Sequence, residues 1–153
     1  MSSPKLNPES ILKTLRAAFC HDATRGDLLQ LTATKLHAVG EPYTGIYVYM
    51  VDGDSLVLEA FAGRPTEHTR IPIGQGLCGR AVAERSDIYA ADVTSEAGYL
   101  ACSAETRSEF IALIRQGDSI LGQIDIDSDQ LDGLDAAERI AVQQVAEGLA
   151  ALL

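Results

Sequence analysis

The sequence has no apolar run approaching the roughly 18 residues that a membrane-spanning helix needs, no basic cluster and no tryptophan. Without such a run no membrane-spanning helix is expected. The opening residues, Met1 to Lys5, lack the apolar centre of a secretory signal, so a cytoplasmic location is expected. Twelve Lys and Arg stand against 22 Asp and Glu, a net charge of -10. Nucleic acid and anionic membrane surfaces would repel such a chain, and neither is expected as a partner. Cysteine is scarce: Cys20, Cys78 and Cys102 form an odd, sparse set, not a disulfide framework. The histidines His21, His37 and His68 show no zinc-type spacing with them, so no metal site is expected.

What is present is the material of one globular domain over residues 1–153. The hydrophobic share of 46% beside 22% charged residues suffices for a core that needs no disulfide staple. Asn7 caps a first predicted helix with Pro8 at its first position, running to about Phe19. A second begins near Thr24, with Leu28, Leu31 and Leu36 on one stripe, and Gly40 closes it. The period then changes. Thr44 to Val51 is β-branched and aromatic, Asp52-Gly53-Asp54 turns the chain, and Ser55 to Ala62 returns as the partner strand. His68 is placed on a strand surface. Leu77 to Arg85 is expected as a short helix, Ser86 to Asp92 as a region with a short strand, and Thr94 to Ala104 as loop. Glu109 to Arg115 and Ile120 to Asp127 form a second hairpin around Gly117-Asp118. A final helix runs from about Ala136 to Ala151, with Asp135 as cap, Glu138 reaching back to it, and Ile140, Val145 and Leu149 as its buried stripe. The fold class is α+β: an antiparallel sheet with helices packed on one face.

The chemistry concentrates in three places. Asp125 and Asp127 alternate with Ile124 and Ile126, so on a strand both carboxylates share one face while the isoleucines take the other. Two like charges this close raise at least one pKa unless a cation intervenes, which suits an acid catalyst or a pocket for an ammonium group. The competing reading is a solvated strand end. Cys102 lies in a small-residue stretch seven residues before Glu109. It is either a nucleophilic thiolate or a buried, inert thiol. Cys78 carries the same two readings; it stands at a helix start, where the dipole favours its thiolate. Cys20, beside Phe19, reads as structural.

These pieces resemble a GAF domain, and within that superfamily residues 70–128 resemble the free methionine-(R)-sulfoxide reductases. Arg70-Ile71-Pro72-Ile73-Gly74-Gln75-Gly76-Leu77-Cys78-Gly79 matches that family's R-I-P-x-G-x-G-V-C-G segment. Asp92-Val93, Leu100-Ala101-Cys102, Ser108-Glu109 and Gly122 to Ser128 match later motifs at the same spacing. The resemblance implies a sheet of about six strands with a loop-covered pocket opposite the terminal helices. It implies Cys102 as the thiol that attacks the sulfoxide sulfur, Glu109 and Asp127 as groups that bind substrate or protonate its oxygen, and Asp125 as a holder of the free amino group. It also implies a second thiol that resolves the sulfenic acid, thioredoxin as reductant, no cofactor, and a homodimer as one assembly. Three positions depart from the pattern. The family's further cysteine is His68 here, which leaves Cys78 as the resolving candidate. Its tryptophan at the substrate wall is Tyr43, and its histidine before the Ala-Cys step is Tyr99. Two rival readings stay open: a non-catalytic GAF module that binds a small ligand, and a thiol redox sensor using Cys78 and Cys102.

Overall fold

The computed structural model describes residues 3–96, 98–99 and 104–153. Cys102 and its neighbours Leu100, Ala101 and Ser103 lie outside the described residues. The chain opens with helix α1 (Pro8–Cys20), where Asn7 accepts from the Ser10 amide and Pro8 occupies the first turn. Helix α2 (Arg25–His37) starts with a full capping box: Thr24 accepts from the Asp27 amide, and the Asp27 carboxylate accepts from the Thr24 amide. Each cap satisfies donors that a helix start leaves open, which is why both helices begin where their sequence signals stand. Two antiparallel strands follow, β1 (Gly45–Asp52) and β2 (Ser55–Gly63).

The middle of the chain is more structured than its composition suggests. Arg70–Pro72 forms a three-residue strand, β3, against β2. Helix α3 (Gly76–Glu84) ends at Arg85 in the left-handed conformation. Strand β4 (Ile88–Ala90) pairs with β5, and Val93–Ser95 makes one 3-10 turn. The His68 backbone is loop just before β3, not strand, so that expectation is corrected. The second hairpin is β5 (Ser108–Gln116) and β6 (Ser119–Ser128), and helix α4 (Ala136–Ala150) closes the fold.

The sheet order is β3-β2-β1-β6-β5-β4. Strands β1 and β6, far apart in sequence, pair at its centre, with Gly45 opposite Asp127, Tyr47 opposite Asp125 and Tyr49 opposite Gln123. Because side chains alternate along a strand, each central strand serves two cores. Ile46, Val48, Met50, Phe110, Ala112, Ile114, Ile124 and Ile126 face α1, α2 and α4 and make the larger core with Leu15, Leu29, Leu36, Val142, Val145 and Leu149. Tyr47, Tyr49, Ile111 and Leu113 face the other way and pack with Leu56, Ile71, Leu77, Cys78 and Ala81 under α3. Helices thus cover one face as expected, and one short helix lies on the other.

Two details of α4 differ from expectation. Ile140 is 54% exposed, while Val145 and Leu149 are buried as expected and Ala141, Val142 and Ala146 complete the stripe. The Asp135 side chain does cap α4 by accepting from the Glu138 amide. The Glu138 carboxylate, however, turns to accept from the Lys5 and Leu6 amides and from the Tyr43 hydroxyl, at 2.6 Å for Lys5 and Tyr43. A buried carboxylate needs several donors, and the incoming N-terminal segment supplies two.

Candidate functional site

The site grows out of the strand register. Glu109 on β5 is paired with Asp127 on β6, and Ile111 with Asp125. Residues 123, 125 and 127 share the face away from the three long helices, as do 109, 111 and 113. Alternation therefore sets Glu109, Asp125 and Asp127 on one patch of sheet. They are 3%, 0% and 2% exposed, which removes the reading of a solvated strand end.

Helix α3 brings the thiol. Gly74 and Gly76, both at positive φ, turn the chain into the helix, and Cys78 falls in its first turn, 7% exposed. Gly79 allows the approach: a Cβ there would lie 2.5 Å from the Pro72 carbonyl oxygen and 2.8 Å from the Gly74 nitrogen. The Cys78 thiol donates to Asp125 Oδ2 at 3.2 Å and lies 3.9 Å from Glu109 Oε2. Gln123 braces the helix start by donating to the Cys78 carbonyl at 2.9 Å. Burial pushes the Asp125 carboxyl above its ordinary range, offset in part by hydrogen bonds with Glu109 and Cys78. Among the described residues, its Oδ1 and the Gln123 Oε1 are buried and meet no hydrogen-bond partner.

The rim is set by groups that sequence reasoning passed over. Tyr47 and Tyr49 donate to the carbonyls of Arg64 and His68, at 2.6 and 2.7 Å, and so fasten the 64–69 loop beside the site. Arg64 grips Asp129, just past β6, through two hydrogen bonds of 2.9 and 2.7 Å, and approaches Glu105 at 3.7 Å. The guanidinium holds the Asp129 carboxyl below its ordinary value. The alternation of Gly-Ile-Tyr-Val-Tyr-Met was the available signal: it sends both tyrosines to the face that carries Asp125.

Of the site residues expected from sequence, Cys78, Glu109, Asp125 and Asp127 come together. Tyr99 is half-buried against the same apolar cluster. His68 lines a cavity of about 10 Å³ with Cys78, Glu109 and Gln75. Cys102 lies outside the described residues. Tyr43 is placed otherwise: it sits in the helix-side core with its hydroxyl on Glu138. The carboxylates stand on the other face of the sheet. Cys20 is exposed at the end of α1. Cysteine and histidine spacing alone leaves out the carboxylates. The fold brings one ligand atom each from Cys78, Glu109 and Asp125 within 4.8 Å of one another.

A six-stranded antiparallel sheet with helices on one face and a buried acid-thiol cluster on the other defines the class. Residues 22–153 match the GAF domain family, and the chain belongs to it. A free methionine-R-sulfoxide reductase of Saccharomyces cerevisiae is 29% identical over 158 residues, covering 95% of this chain and 87% of that protein. Protein YtsP of Bacillus subtilis is 36% identical over 107 residues, 70% of this chain and 65% of that protein. The chain spans less than two thirds of the length of the first curated relatives it matches, 61% and 65%. Among solved structures, the type II free methionine-R-sulfoxide reductase from Thermoplasma acidophilum superposes with a TM-score of 0.80 at 31% identity, covering 84% of this chain and 91% of that one. The free methionine-R-sulfoxide reductase from Neisseria meningitidis in complex with its substrate gives 0.85 at 27%, covering 95% and 87%. Among the described residues no helix is long and apolar enough to cross a membrane.

Proposed function

We propose that this protein reduces free methionine-(R)-sulfoxide to methionine. The observation that supports it most is the burial of Glu109, Asp125 and Asp127 beside Cys78, in a chain similar to reductases of that substrate. Peptide-bound methionine sulfoxide has no free ammonium group, whereas the free amino acid does. Asp125, with one buried oxygen that meets no donor among the described residues, offers that ammonium a hydrogen-bonded counter-charge. This would select the free amino acid over a residue in a chain.

In this reading the Cys102 thiolate attacks the sulfoxide sulfur, and Glu109 or Asp127 delivers a proton to the departing oxygen. The oxygen passes to Cys102 as a sulfenic acid and methionine leaves, so the thiol loses two electrons and the sulfoxide gains them. Cys78 as thiolate then attacks the sulfenic sulfur. The oxygen leaves as water once protonated, and a Cys78–Cys102 disulfide forms. Thioredoxin, a dithiol, returns both cysteines to thiols. In the wall beside this chemistry His68 stands where the resembled family carries a further cysteine, which is why resolution falls to Cys78.

The test uses purified protein, dithiothreitol and each free epimer of methionine sulfoxide. Loss of the R epimer alone is expected, and Cys102→Ser should cost on the order of 10⁴-fold or more in turnover, the scale of removing a nucleophile. Glu109→Gln and Asp127→Asn should each cost about 10²- to 10⁴-fold as general acids. Equal wild-type and Cys102→Ser rates would sink the proposal. Cys78→Ser should slow thioredoxin-dependent cycling more than the first turnover, and full cycling of that variant would exclude Cys78 as the resolving thiol. A disulfide that forms under oxidant without substrate turnover would mark a redox sensor instead.

A further inference from the structure

We propose that Cys78, Glu109 and Asp125 form a binding site for a zinc-type divalent ion, and that the ion holds the protein in an inactive, thiol-protected state. The ion binding stands on geometry alone, while its effect on turnover rests on the reductase reading. In a tetrahedral site with zinc–sulfur near 2.3 Å and zinc–oxygen near 2.1 Å, ligand sulfur and oxygen stand about 3.6 Å apart. Here Cys78 Sγ is 3.2 Å from Asp125 Oδ2 and 3.9 Å from Glu109 Oε2, values on either side of that separation. All three ligand atoms lie within 4.8 Å of one another. Small movements of side chains already in contact would close the set.

Two further observations point to an ion. Among the described residues, Asp125 Oδ1 and Gln123 Oε1 are buried acceptors with no donor, and a cation stabilises acceptors that a neutral interior leaves unsatisfied. The cavity bordered by Cys78, Glu109 and His68 has about 10 Å³, room for roughly one water or one ion. Where it meets Cys78 and Glu109 it would offer a fourth coordination position to a water. One thiolate and two carboxylates form a borderline donor set, which favours zinc over magnesium or calcium. The thiol proton leaves to solvent when the ion binds, as does any proton held on the carboxyl pair, and no electron is transferred. Bound zinc would occupy the carboxylate that takes the substrate's ammonium, and it would keep Cys78 from forming a disulfide.

The test is titration of reduced, metal-free protein with Co²⁺, followed by displacement with Zn²⁺. A near-ultraviolet thiolate-to-cobalt band and the visible bands of a four-coordinate ion are expected. The thiolate band is lost in Cys78→Ser and kept in Cys20→Ser, and Asp125→Asn weakens binding at least about tenfold. No band in the wild type, or an undiminished band in Cys78→Ser, overturns the site. X-ray absorption of the wild-type zinc form keeps the question answerable if the variants fold poorly. One sulfur near 2.3 Å with oxygens near 2.0–2.2 Å supports the site, and a shell without sulfur overturns it. Saturating free methionine sulfoxide should displace the cobalt. If cobalt binds as described in a protein that never reduces the sulfoxide, the ion site stands and the reductase reading falls.

Discussion

Asp125 combines complete burial with a carboxyl raised above its ordinary range, chiefly by desolvation. Its folded-state pKa exceeds the unfolded value near 3.8. Between the two, the folded chain keeps a proton that the unfolded chain has released. The stability this group contributes is therefore complete below pH 3.8 and is lost as pH rises through the folded value. Asp125→Asn keeps the shape and removes the titration. Its urea midpoint should exceed that of the wild type at pH 7, with the gap shrinking toward pH 4, and the proposed sulfoxide reduction should slow. A gap of constant size across that range would contradict the linkage. That both aspartates share a face was legible from the Asp-Ile-Asp alternation. Their burial was not, because Cys78 of α3 and Thr106 reach them from elsewhere in the chain. Ile140 was misplaced for the same reason: a side chain's surroundings depend on which element packs over it.

At the scale of the element, α3 is the piece that carries the thiol to the carboxylates, and Gly79 sets how near it comes. Gly79→Ala would press a methyl group on the Pro72 carbonyl and the Gly74 nitrogen, both backbone atoms that cannot rotate away. The overpacking should cost about 1–3 kcal/mol, or roughly 2–12 °C in melting temperature for a chain of this size. It should also lower the Co²⁺ affinity by lifting Cys78 from Asp125. A variant with wild-type melting and cobalt binding would show that α3 docks by other contacts. The long helices and both hairpins were legible because their caps, turns and periods are local. Strands β3 and β4 were blurred because three residues carry too little pattern, and their pairing is decided by β2 and β5.

The whole molecule is closed by one carboxylate. Glu138 on α4 joins the backbone of Lys5 and Leu6 to the Tyr43 hydroxyl, drawing three distant segments together at the helix-side core. Tyr43→Phe removes one charged hydrogen bond and should cost about 1.5–3 kcal/mol. Faster amide exchange at Lys5 and Leu6 should accompany it, with KM for the sulfoxide unchanged. A raised KM at unchanged stability would return Tyr43 to the substrate wall. The α+β class was readable from element order, but the central pairing of β1 with β6 was not, since no local signal names a partner some 75 residues away along the chain. That pairing gives the acidic residues a second role. If β6 slipped by one residue against its neighbours, Gln123, Asp125 and Asp127 would enter the helix-side core and the isoleucines would leave it. Three buried polar groups would lose their surroundings at once, so the site chemistry also proofreads strand alignment as the sheet assembles.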